Sequence, residues 1–249
     1  MMAEFINLTS ENIQKEHLCC IIRSKKVHPG VEAKRQWLSD RLKEGHVFRK
    51  LNTKSTVFIE YAPLETAWVP IEGDNYIYLY CLWVTGSDAK KGYGRELLEY
   101  CLEDAKKSGK SGVCMLGSKR QKAWLSNQEF MKKFGFEVVD TTDNDYELLA
   151  LSFDKSKPRF TKKAKKSKIE NQELTIYYDM QCPFIYQNIE SLKEYCDQNH
   201  IMAFFKQVHS LDEAKKLPCV FNNYGIFYKG SFQTVNLINP ESLTKILNK

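Results

Sequence analysis

The residues best suited to chemistry lie in a glycine-containing turn at residues 89–94, which reads AKKGYG. Gly92 and Gly94 let the backbone approach a ligand closely. Positive charge is supplied by Lys90, Lys91 and Arg95. An apolar strand precedes the turn and an amphipathic helix follows it, so free amides and the positive end of the helix dipole face any ligand there. The pattern predicts a phosphate or pyrophosphate site, and its alternative is a tight turn that packs a strand on a helix.

The turn fits neither of two common nucleotide motifs. A dinucleotide fingerprint needs a third glycine, and Glu96 stands beside the position where that glycine would be. The GK[ST] sequence of a P-loop is also missing. The identity of the ligand therefore depends on the elements around the turn.

Length and composition predict a folded protein, with two domains as the expectation and one large domain as the alternative. The chain has 249 residues, and its 43% hydrophobic and 12% aromatic content is too high for a disordered chain. No apolar run is long enough to span a bilayer, and the N-terminus lacks the pattern of a signal peptide. We therefore expect a cytoplasmic protein with no membrane partner, in which the eight cysteines are thiols.

A basic segment at residues 155–168 separates the two expected domains. The net charge is +6, and removing the eight Lys and Arg residues between Lys155 and Lys168 leaves −2. This segment predicts a solvated basic linker at residues 154–170, between domains at residues 1–153 and 171–249. A nucleic-acid or other anionic partner is the alternative, but without interleaved aromatic residues beyond Phe160 or a reading module we do not predict nucleic-acid binding.

The first domain is expected to be of the α/β (α+β) class. Its pattern predicts a short first strand, helices at residues 11–23 and 31–44, and several strands that include the apolar run NYIYLYCLWV before the turn. After the turn we expect a long helix, the strand GVCMLG, a short helix around FMKKF and a final strand pair.

This order, with the segments GRELLEYCLEDAKKSG, GVCMLG and FMKKFGFEVV, resembles the GNAT acetyltransferase family over residues 4–153. The resemblance implies a mixed, mostly antiparallel sheet flanked by helices, acetyl-CoA as co-substrate, no metal, and acetyl transfer to an amine. The family's Q/R-x-x-G-x-G/A loop, which binds the pyrophosphate, corresponds to residues 89–94, with Ala89 as a departure at its first position. The expected contacts to acetyl-CoA are Leu82, Trp83, Val84, Lys90, Lys91, Gly92, Tyr93, Gly94 and Arg95.

The same resemblance implies where the acetyl group is transferred. The strand ending in Leu82 to Val84 would splay from GVCMLG, and the amide of Leu82 or Val84 would polarise the thioester carbonyl. A base must take the proton of the attacking amine. Candidates are Glu60, Glu65 and Glu72, with Glu60 preferred because STVFIEY resembles a half-buried strand. The alternative for each is a solvated carboxylate at a strand edge.

The tyrosine that protonates the departing thiolate in many family members is missing from its usual position. Many family members carry a tyrosine where this chain has Met131, and an asparagine where it has Trp124. Coenzyme A would then leave as a thiolate or take its proton from solvent, or Tyr80 or Tyr146 would replace the acid, or catalysis would be weak. Tyr146 is retained as a candidate catalytic residue.

The second domain resembles YoaP-type and thioredoxin-like domains, because a Cys182-Pro183 pair opens its first helix after a strand. The resemblance implies a helix N-terminus that lowers the pKa of Cys182, and a cis proline facing it, here Pro218. Ile185 replaces the second cysteine of a CxxC pair, so exchange within such a pair is excluded. Pairing of Cys182 with Cys219 remains conceivable, and the alternative for Cys182 is a small apolar filler.

Two function classes follow. The first is an acetyl-CoA-dependent N-acetyltransferase, an acyltransferase that acts on the amine of a small molecule, an amino acid or a peptide. The second is a coenzyme A or substrate-binding protein whose single-thiol domain handles thiols through Cys182.

Overall fold

A computed structural model describes residues 4–73 and 75–248. The N-terminal part, up to residue 153, contains eight strands and three helices in these described residues. They are β1 Phe5–Asn7, α1 Pro29–Leu42, β2 Val47–Leu51, β3 Val57–Pro63, β4 Ile71–Glu72, β5 Tyr76–Val84, α2 Tyr93–Lys107, β6 Gly112–Ser118, α3 Gln128–Lys132, β7 Glu137–Thr141 and β8 Tyr146–Ser152.

Seven of these strands form one sheet in the order β1-β2-β3-β5-β6-β8-β7. All neighbours are antiparallel except β5 and β6, which are parallel. The apolar runs that predicted buried strands form β3, β5 and β6 at the centre of this sheet, where both faces are covered. The expected mixed, mostly antiparallel sheet flanked by helices is confirmed.

The centre of the sheet opens where β5 and β6 separate. The two strands pair only from Tyr76 to Tyr78 on β5, whereas β5 continues along β3 as far as Val84. A register shift beside Glu60 lies opposite the point of separation, because Glu60 pairs with Cys81 and Tyr61 with Leu79. Such a bulge bends a strand and increases its twist. The predicted V-shaped opening is therefore present between the ends of β5 and β6.

The N-terminal segment departs from its predicted helix at residues 11–23. It folds instead as successive turns, with positive φ at Cys19 and Ile21. Its apolar residues Ile13, Leu18 and Cys19 are buried in the same core as Trp37 of α1. The apolar spacing that predicted a helix thus reflects burial of an irregular segment against α1 and the neighbouring strands.

The C-terminal part forms a second, four-stranded sheet. Its elements are β9 Arg159–Phe160, α4 Lys162–Lys166, β10 Leu174–Tyr178, α5 Pro183–Gln198, β11 Ala203–Gln207, α6 Leu211–Lys215, β12 Tyr224–Tyr228, β13 Ser231–Thr234 and α7 Pro240–Leu247. The sheet order is β11-β10-β12-β13, with β10 and β11 parallel. The expected element order is confirmed, and the thioredoxin-like assignment stays a prediction. Among the described residues no peptide bond is cis, so the bond before Pro218 is trans, contrary to that resemblance.

The basic segment is not the solvated linker that its charge predicted. Strand β9 pairs with β4, and α4 follows it directly. The charged side chains are exposed, while Pro158, Phe160, Ala164 and Ser167 are buried. The small and apolar residues between the lysines therefore anchor the connection to the body of the protein.

One hydrophobic core is shared by the two parts. It joins Tyr78, Tyr146 and Leu148 of the first sheet to residues such as Phe227 and Phe232 of the second. Helices α1 and α5 also meet at their N-termini. Gly30 of α1 lies so close to the carbonyl oxygen of Pro183 of α5 that any side chain at residue 30 would collide with it. The shared core and this helix contact pack the two parts against each other.

Candidate active site

The glycine turn lines a groove of about 750 Å³ between the end of β5, the N-terminus of α2 and the segment leading into α3. We call it the β5–α2 groove. Most of the predicted acetyl-CoA contacts line it, namely Leu82, Trp83, Val84, Lys90, Gly92, Tyr93, Gly94 and Arg95. Lys91 is outside this lining and donates a hydrogen bond to Asp88 Oδ1 at 3.0 Å. The structure thus brings the residues predicted to contact acetyl-CoA together in one groove, apart from Lys91.

The turn has the geometry of an anion cradle. Gly92 caps α2 with φ of 90°, a left-handed conformation that favours glycine. The amide of Arg95 donates to the Gly92 oxygen at 3.0 Å, whereas the amides of Tyr93 and Gly94 precede the first hydrogen bonds of α2, at the positive end of the helix dipole. Lys90 and Arg95 add positive charge at the edge of the groove. A phosphate or pyrophosphate group fits this arrangement.

A serine occupies the gap where the thioester was expected to bind. The backbone N–H of Leu82, the predicted oxyanion donor, donates to Ser126 Oγ at 3.0 Å. Ser126 is buried in the segment before α3, and nothing in its sequence context indicated this position. The catalytic role of Leu82 stays a prediction, and Ser126 adds a hydroxyl at the same place.

The predicted replacements for the missing acid lie elsewhere. Met131 is fully buried and lines the β5–α2 groove. The hydroxyl of Tyr146 instead accepts a hydrogen bond from the N–H of Val235 at 3.0 Å, and burial raises the pKa of Tyr146. Tyr80 accepts from the N–H of Trp68 at 2.7 Å. Tyr146 therefore joins the two sheets, and the structure does not support its predicted catalytic role.

A second cavity, of about 480 Å³, lies between the N-terminal and C-terminal parts, and we call it the interdomain pocket. Its N-terminal wall consists of Cys20, Ile21, Lys34, Thr56, Phe58, Glu60, Cys81, Trp83, Thr85, Ala123 and Trp124. Its C-terminal wall consists of Gln181, Cys182, Pro183, Phe184 and Asn223. Trp83, Thr85 and Ala123 also line the β5–α2 groove, so the two cavities meet at the end of β5.

Glu60 lies in the wall of this pocket, as expected, but it is not a free carboxylate. Its oxygens accept hydrogen bonds from Lys34 Nζ at 2.6 Å, from Gln181 Nε2 at 2.8 Å and from His46 Nε2 at 3.0 Å. Burial raises the pKa of Glu60, but Lys34 and His46 lower it by more, so the carboxyl remains ionised. A carboxylate with three donors is a weak proton acceptor, and the role of Glu60 as general base stays a prediction.

The C-terminal part supplies hydrogen-bond partners to this ion pair. Lys34 Nζ also donates to the backbone oxygen of Gln181 at 2.6 Å. Burial lowers the pKa of Lys34, but Glu60 together with Cys20 and Cys81 raises it by more, so the pKa is above its ordinary value. Asn223 Nδ2 holds the side-chain oxygen of Gln181 at 2.7 Å. Lys34, Gln181 and Asn223 carry no sequence signal of a site, because their partners come from distant segments.

The two other carboxylates considered as bases lie outside both cavities. Glu65 is paired with Lys110 at 3.2 Å, and Glu72 with Arg159 at 3.0 Å. Both are solvated carboxylates, as their alternative interpretation stated.

Sequence comparison identifies the two parts. Residues 13–136 match the model of the acetyltransferase (GNAT) family, and residues 205–245 match that of YoaP-like domains. A protein of Bacillus subtilis (strain 168), named "uncharacterized N-acetyltransferase YoaP", is 34% identical over 246 residues, which are 98% of this chain and 98% of the relative. The chain belongs to the GNAT acetyltransferase family. It is therefore an acyltransferase that uses acetyl-CoA, with a YoaP-like C-terminal part, as the sequence predicted.

Two solved N-acetyltransferase structures resemble the chain over 61% and 62% of its length. An N-acetyltransferase from Staphylococcus aureus Mu50 is 16% identical with a TM-score of 0.45, covering 62% of this chain and 100% of its own. The PaiA N-acetyltransferase of Thermoplasma acidophilum, in complex with coenzyme A, is 18% identical with a TM-score of 0.42, covering 61% and 100%. No helix in residues 4–73 and 75–248 has the length and apolar character needed to cross a membrane.

The surroundings of Cys182 and Cys219 differ from those that the sequence predicted. Cys182 is the N-cap of α5, but burial raises its pKa to about 12, contrary to the expected decrease. Cys219 is a free, fully buried thiol in the shared core, and Cys182 is free in the interdomain pocket, so the conceivable pairing is not formed. No observation favours the thiol-handling alternative, and Cys182 acts in the structure as part of the pocket wall.

A buried acid beside the pocket gives a pH-dependent prediction. Asp179 Oδ1 accepts from the N–H of Gln181 at 2.9 Å, while Oδ2 is buried without a hydrogen-bond partner. Burial raises the pKa of Asp179 from 3.8 to about 8. The folded protein therefore holds a proton that the unfolded chain releases, and stability falls as pH rises between these two values.

We expect Asp179→Asn to remove this pH dependence. At a pH near 8 the variant should exceed the parent in unfolding free energy by at least about 1.4 kcal/mol, the value of one pKa unit. Urea unfolding at mildly acidic and mildly alkaline pH would measure the difference. An equal pH slope in the two proteins would show that Asp179 is ionised in the fold.

Proposed function

We propose that the protein transfers the acetyl group of acetyl-CoA to a small amine that binds in the interdomain pocket. The observation that carries this proposal is the junction of the two cavities at Trp83, Thr85 and Ala123. A thioester bound in the gap beside β5 and an amine bound between the two parts would meet there. A volume of about 480 Å³ suits a small molecule more than a folded protein segment.

In this proposal the β5–α2 groove holds the co-substrate. The amides at the start of α2 bind the pyrophosphate, with Lys90 and Arg95 near it. The apolar side chains of Leu82, Val84 and Met131 lie along the pantetheine arm. At the gap the Leu82 amide donates to Ser126 Oγ, which leaves the hydroxyl hydrogen of Ser126 to donate to the carbonyl oxygen that becomes negative during the reaction.

The direct test is release of coenzyme A from acetyl-CoA in the presence of a panel of amines, with mass spectrometry of the acetylated product. Acetylation of at least one small amine, at a rate that depends on protein concentration, would support the proposal. A protein that is stabilised by acetyl-CoA but acetylates no member of a broad panel would contradict it.

Gly94→Glu should weaken acetyl-CoA binding at least about tenfold, a loss of about 1.4 kcal/mol. A Cβ at Gly94 would make only ordinary contacts, 3.6 Å from Phe130 and 3.7 Å from Val84, so the fold tolerates a side chain at this position. Its carboxylate, however, would lie at the anion cradle and repel the phosphates. Thermal unfolding with and without acetyl-CoA measures the effect, because a ligand at 100 times its Kd stabilises by about 2.7 kcal/mol.

Gly94→Gln is the matched control, because it adds nearly the same bulk without the charge. It should retain more of the acetyl-CoA stabilisation than Gly94→Glu does. Equal stabilisation of both variants and the parent would contradict pyrophosphate binding at this turn.

A further inference from the structure

The mouth of the interdomain pocket is formed by two aromatic side chains from different parts of the protein. Trp124 precedes α3, and Phe184 lies in the first turn of α5. Their rings meet edge to face, with centroids 5.8 Å apart. The side chains are 37% and 40% exposed, although both are large and apolar. Exposed aromatic rings that contact each other over a cavity are suited to stacking on a flat ligand.

The walls below this aromatic pair are also largely apolar. Phe58, Trp83 and Ile21 line the N-terminal side, and Pro183 lines the C-terminal side. A ligand that fills the pocket therefore transfers apolar surface from water to protein, which stabilises binding by about 25 cal/mol per Å².

The charges in the pocket wall are already paired with each other. The Lys34 ammonium and the Glu60 carboxylate form a buried pair, and the remaining donors to Glu60 are Gln181 and His46. A substrate ammonium group would enter an apolar pocket beside Lys34 without a carboxylate of its own. Burial of an unpaired charge is strongly unfavourable, so the pocket favours an amine that is uncharged.

We propose that the amine substrate is aromatic, with its nitrogen attached directly to a flat ring, so that it is uncharged at neutral pH. This inference rests on the proposed function and names its substrate class. The ring lies against Trp124 and Phe184, and the nitrogen points along the pocket toward the junction at Thr85 and Ala123. An amine with its nitrogen on an alkyl carbon is an ammonium ion at neutral pH and is disfavoured.

Such a substrate matches the side chains present for the reaction. The uncharged nitrogen attacks the thioester carbonyl carbon, a C–N bond forms, and the C–S bond breaks. The nitrogen loses one proton, and the departing sulfur gains one, directly or through water, so no net proton is released. A strong base is not required because the nucleophile is neutral from the start, and the tyrosine replaced by Met131 is not required because the sulfur gains the proton that the nitrogen loses.

The experiment compares para-toluidine with benzylamine, which are isomers that differ in whether the nitrogen is on the ring or on a carbon beside it. Coenzyme A release is measured at neutral pH with saturating acetyl-CoA. We expect kcat/KM for para-toluidine to exceed that for benzylamine at least about tenfold, which is 1.4 kcal/mol. Acetylation of benzylamine, hexylamine or a short peptide in preference to para-toluidine would overturn the substrate class while leaving the acetyltransferase function intact.

Variants of the aromatic pair locate the site. Trp124→Ala and Phe184→Ala should each raise KM for para-toluidine at least about fivefold and leave acetyl-CoA binding unchanged, because neither side chain lines the β5–α2 groove. Phe204→Ala is the matched control, since Phe204 lies in the same part of the chain, is 41% exposed and does not line the pocket. Phe184→Leu, which keeps apolar bulk, should have an intermediate KM.

The outcomes distinguish a wrong binding site or substrate class from a wrong proposed function. Unchanged KM in both alanine variants, with para-toluidine still preferred, would overturn binding against the two rings. Failure of every amine in the panel, with acetyl-CoA still stabilising the protein, would overturn the proposed function itself, and this inference with it.

Discussion

Glu60→Gln is expected to lower the free energy of unfolding by about 3 to 5 kcal/mol, the usual cost of breaking a buried ion pair. Glu60 Oε2 lies 2.6 Å from Lys34 Nζ, and the two side chains are 0% and 2% exposed. Glutamine keeps the shape of the side chain but leaves the Lys34 ammonium buried without a counterion. Urea unfolding at neutral pH would measure the loss.

A double variant separates the lost charge from the lost side chain. Lys34→Met combined with Glu60→Gln removes both charges and should recover much of the stability, because no unpaired charge remains. Glu241→Gln is a control on the surface, where Glu241 pairs with Lys245 and both are more than 70% exposed. It should leave the unfolding midpoint unchanged. A similar small effect for Glu60→Gln would contradict the role assigned to the buried pair.

The same variants test whether Glu60 is the base. If the folded double variant still acetylates an amine at a rate near that of the parent, Glu60 has only a structural role. A loss of about a hundredfold or more in kcat, with acetyl-CoA binding unchanged, would instead support proton transfer through Glu60. The pH dependence of kcat would distinguish the second result from a distorted pocket.

The β5–α2 groove could be predicted from the sequence because its residues are close together in the chain. One strand, one turn and the first turn of one helix supply the predicted contacts, and the glycines fix the turn. Such a site depends on local geometry, which periodicity and turn chemistry report directly. Lys91 departs because its exposed ammonium pairs locally with Asp88.

The interdomain pocket could not be predicted in the same way. Its wall combines α1, β3, β5, the segment before α3 and the start of α5, which packing alone brings together. Glu60 was expected to be half buried, but the partners that lower its pKa, Lys34 and His46, become visible only in the fold. Cys182 shows the same limit, because the helix N-terminus was visible in the sequence and the burial that raises its pKa was not.

The linker and Tyr146 illustrate how tertiary packing overrides local composition. A run of lysines predicted a solvated connector, yet Phe160 and Ala164 within it are buried. Tyr146 is a candidate acid because its hydroxyl could replace that of the family's tyrosine, but this hydroxyl accepts a hydrogen bond from the backbone N–H of Val235. Both corrections have one cause, which is the close packing of the C-terminal part on the first sheet.

That packing leads to the second large expected effect: a chain ending at residue 153 should not form a stable fold. Removing the C-terminal part would expose the apolar core around Tyr78, Tyr146 and Leu148. It would also remove the hydrogen bond of Lys34 to the oxygen of Gln181, and that of the Tyr78 hydroxyl to Asn222 Oδ1 at 2.8 Å. Each lost hydrogen bond costs about 0.5–1.5 kcal/mol and each Å² of exposed apolar surface about 25 cal/mol, against a total stability of about 5–15 kcal/mol.

The matched control for this truncation keeps every contact and breaks only the chain. A protease site inserted in the exposed segment at residues 154–157 allows the purified full-length protein to be cut between β8 and β9. The cut protein should remain associated, unfold in one cooperative transition and still bind acetyl-CoA, whereas the fragment ending at residue 153 should aggregate or unfold without cooperativity. Cooperative unfolding of that fragment, with a midpoint near that of the full chain, would show that the acetyltransferase part is stable by itself. The interdomain pocket would then be a contact between two independent domains, and the shared core would contribute little to the stability of either.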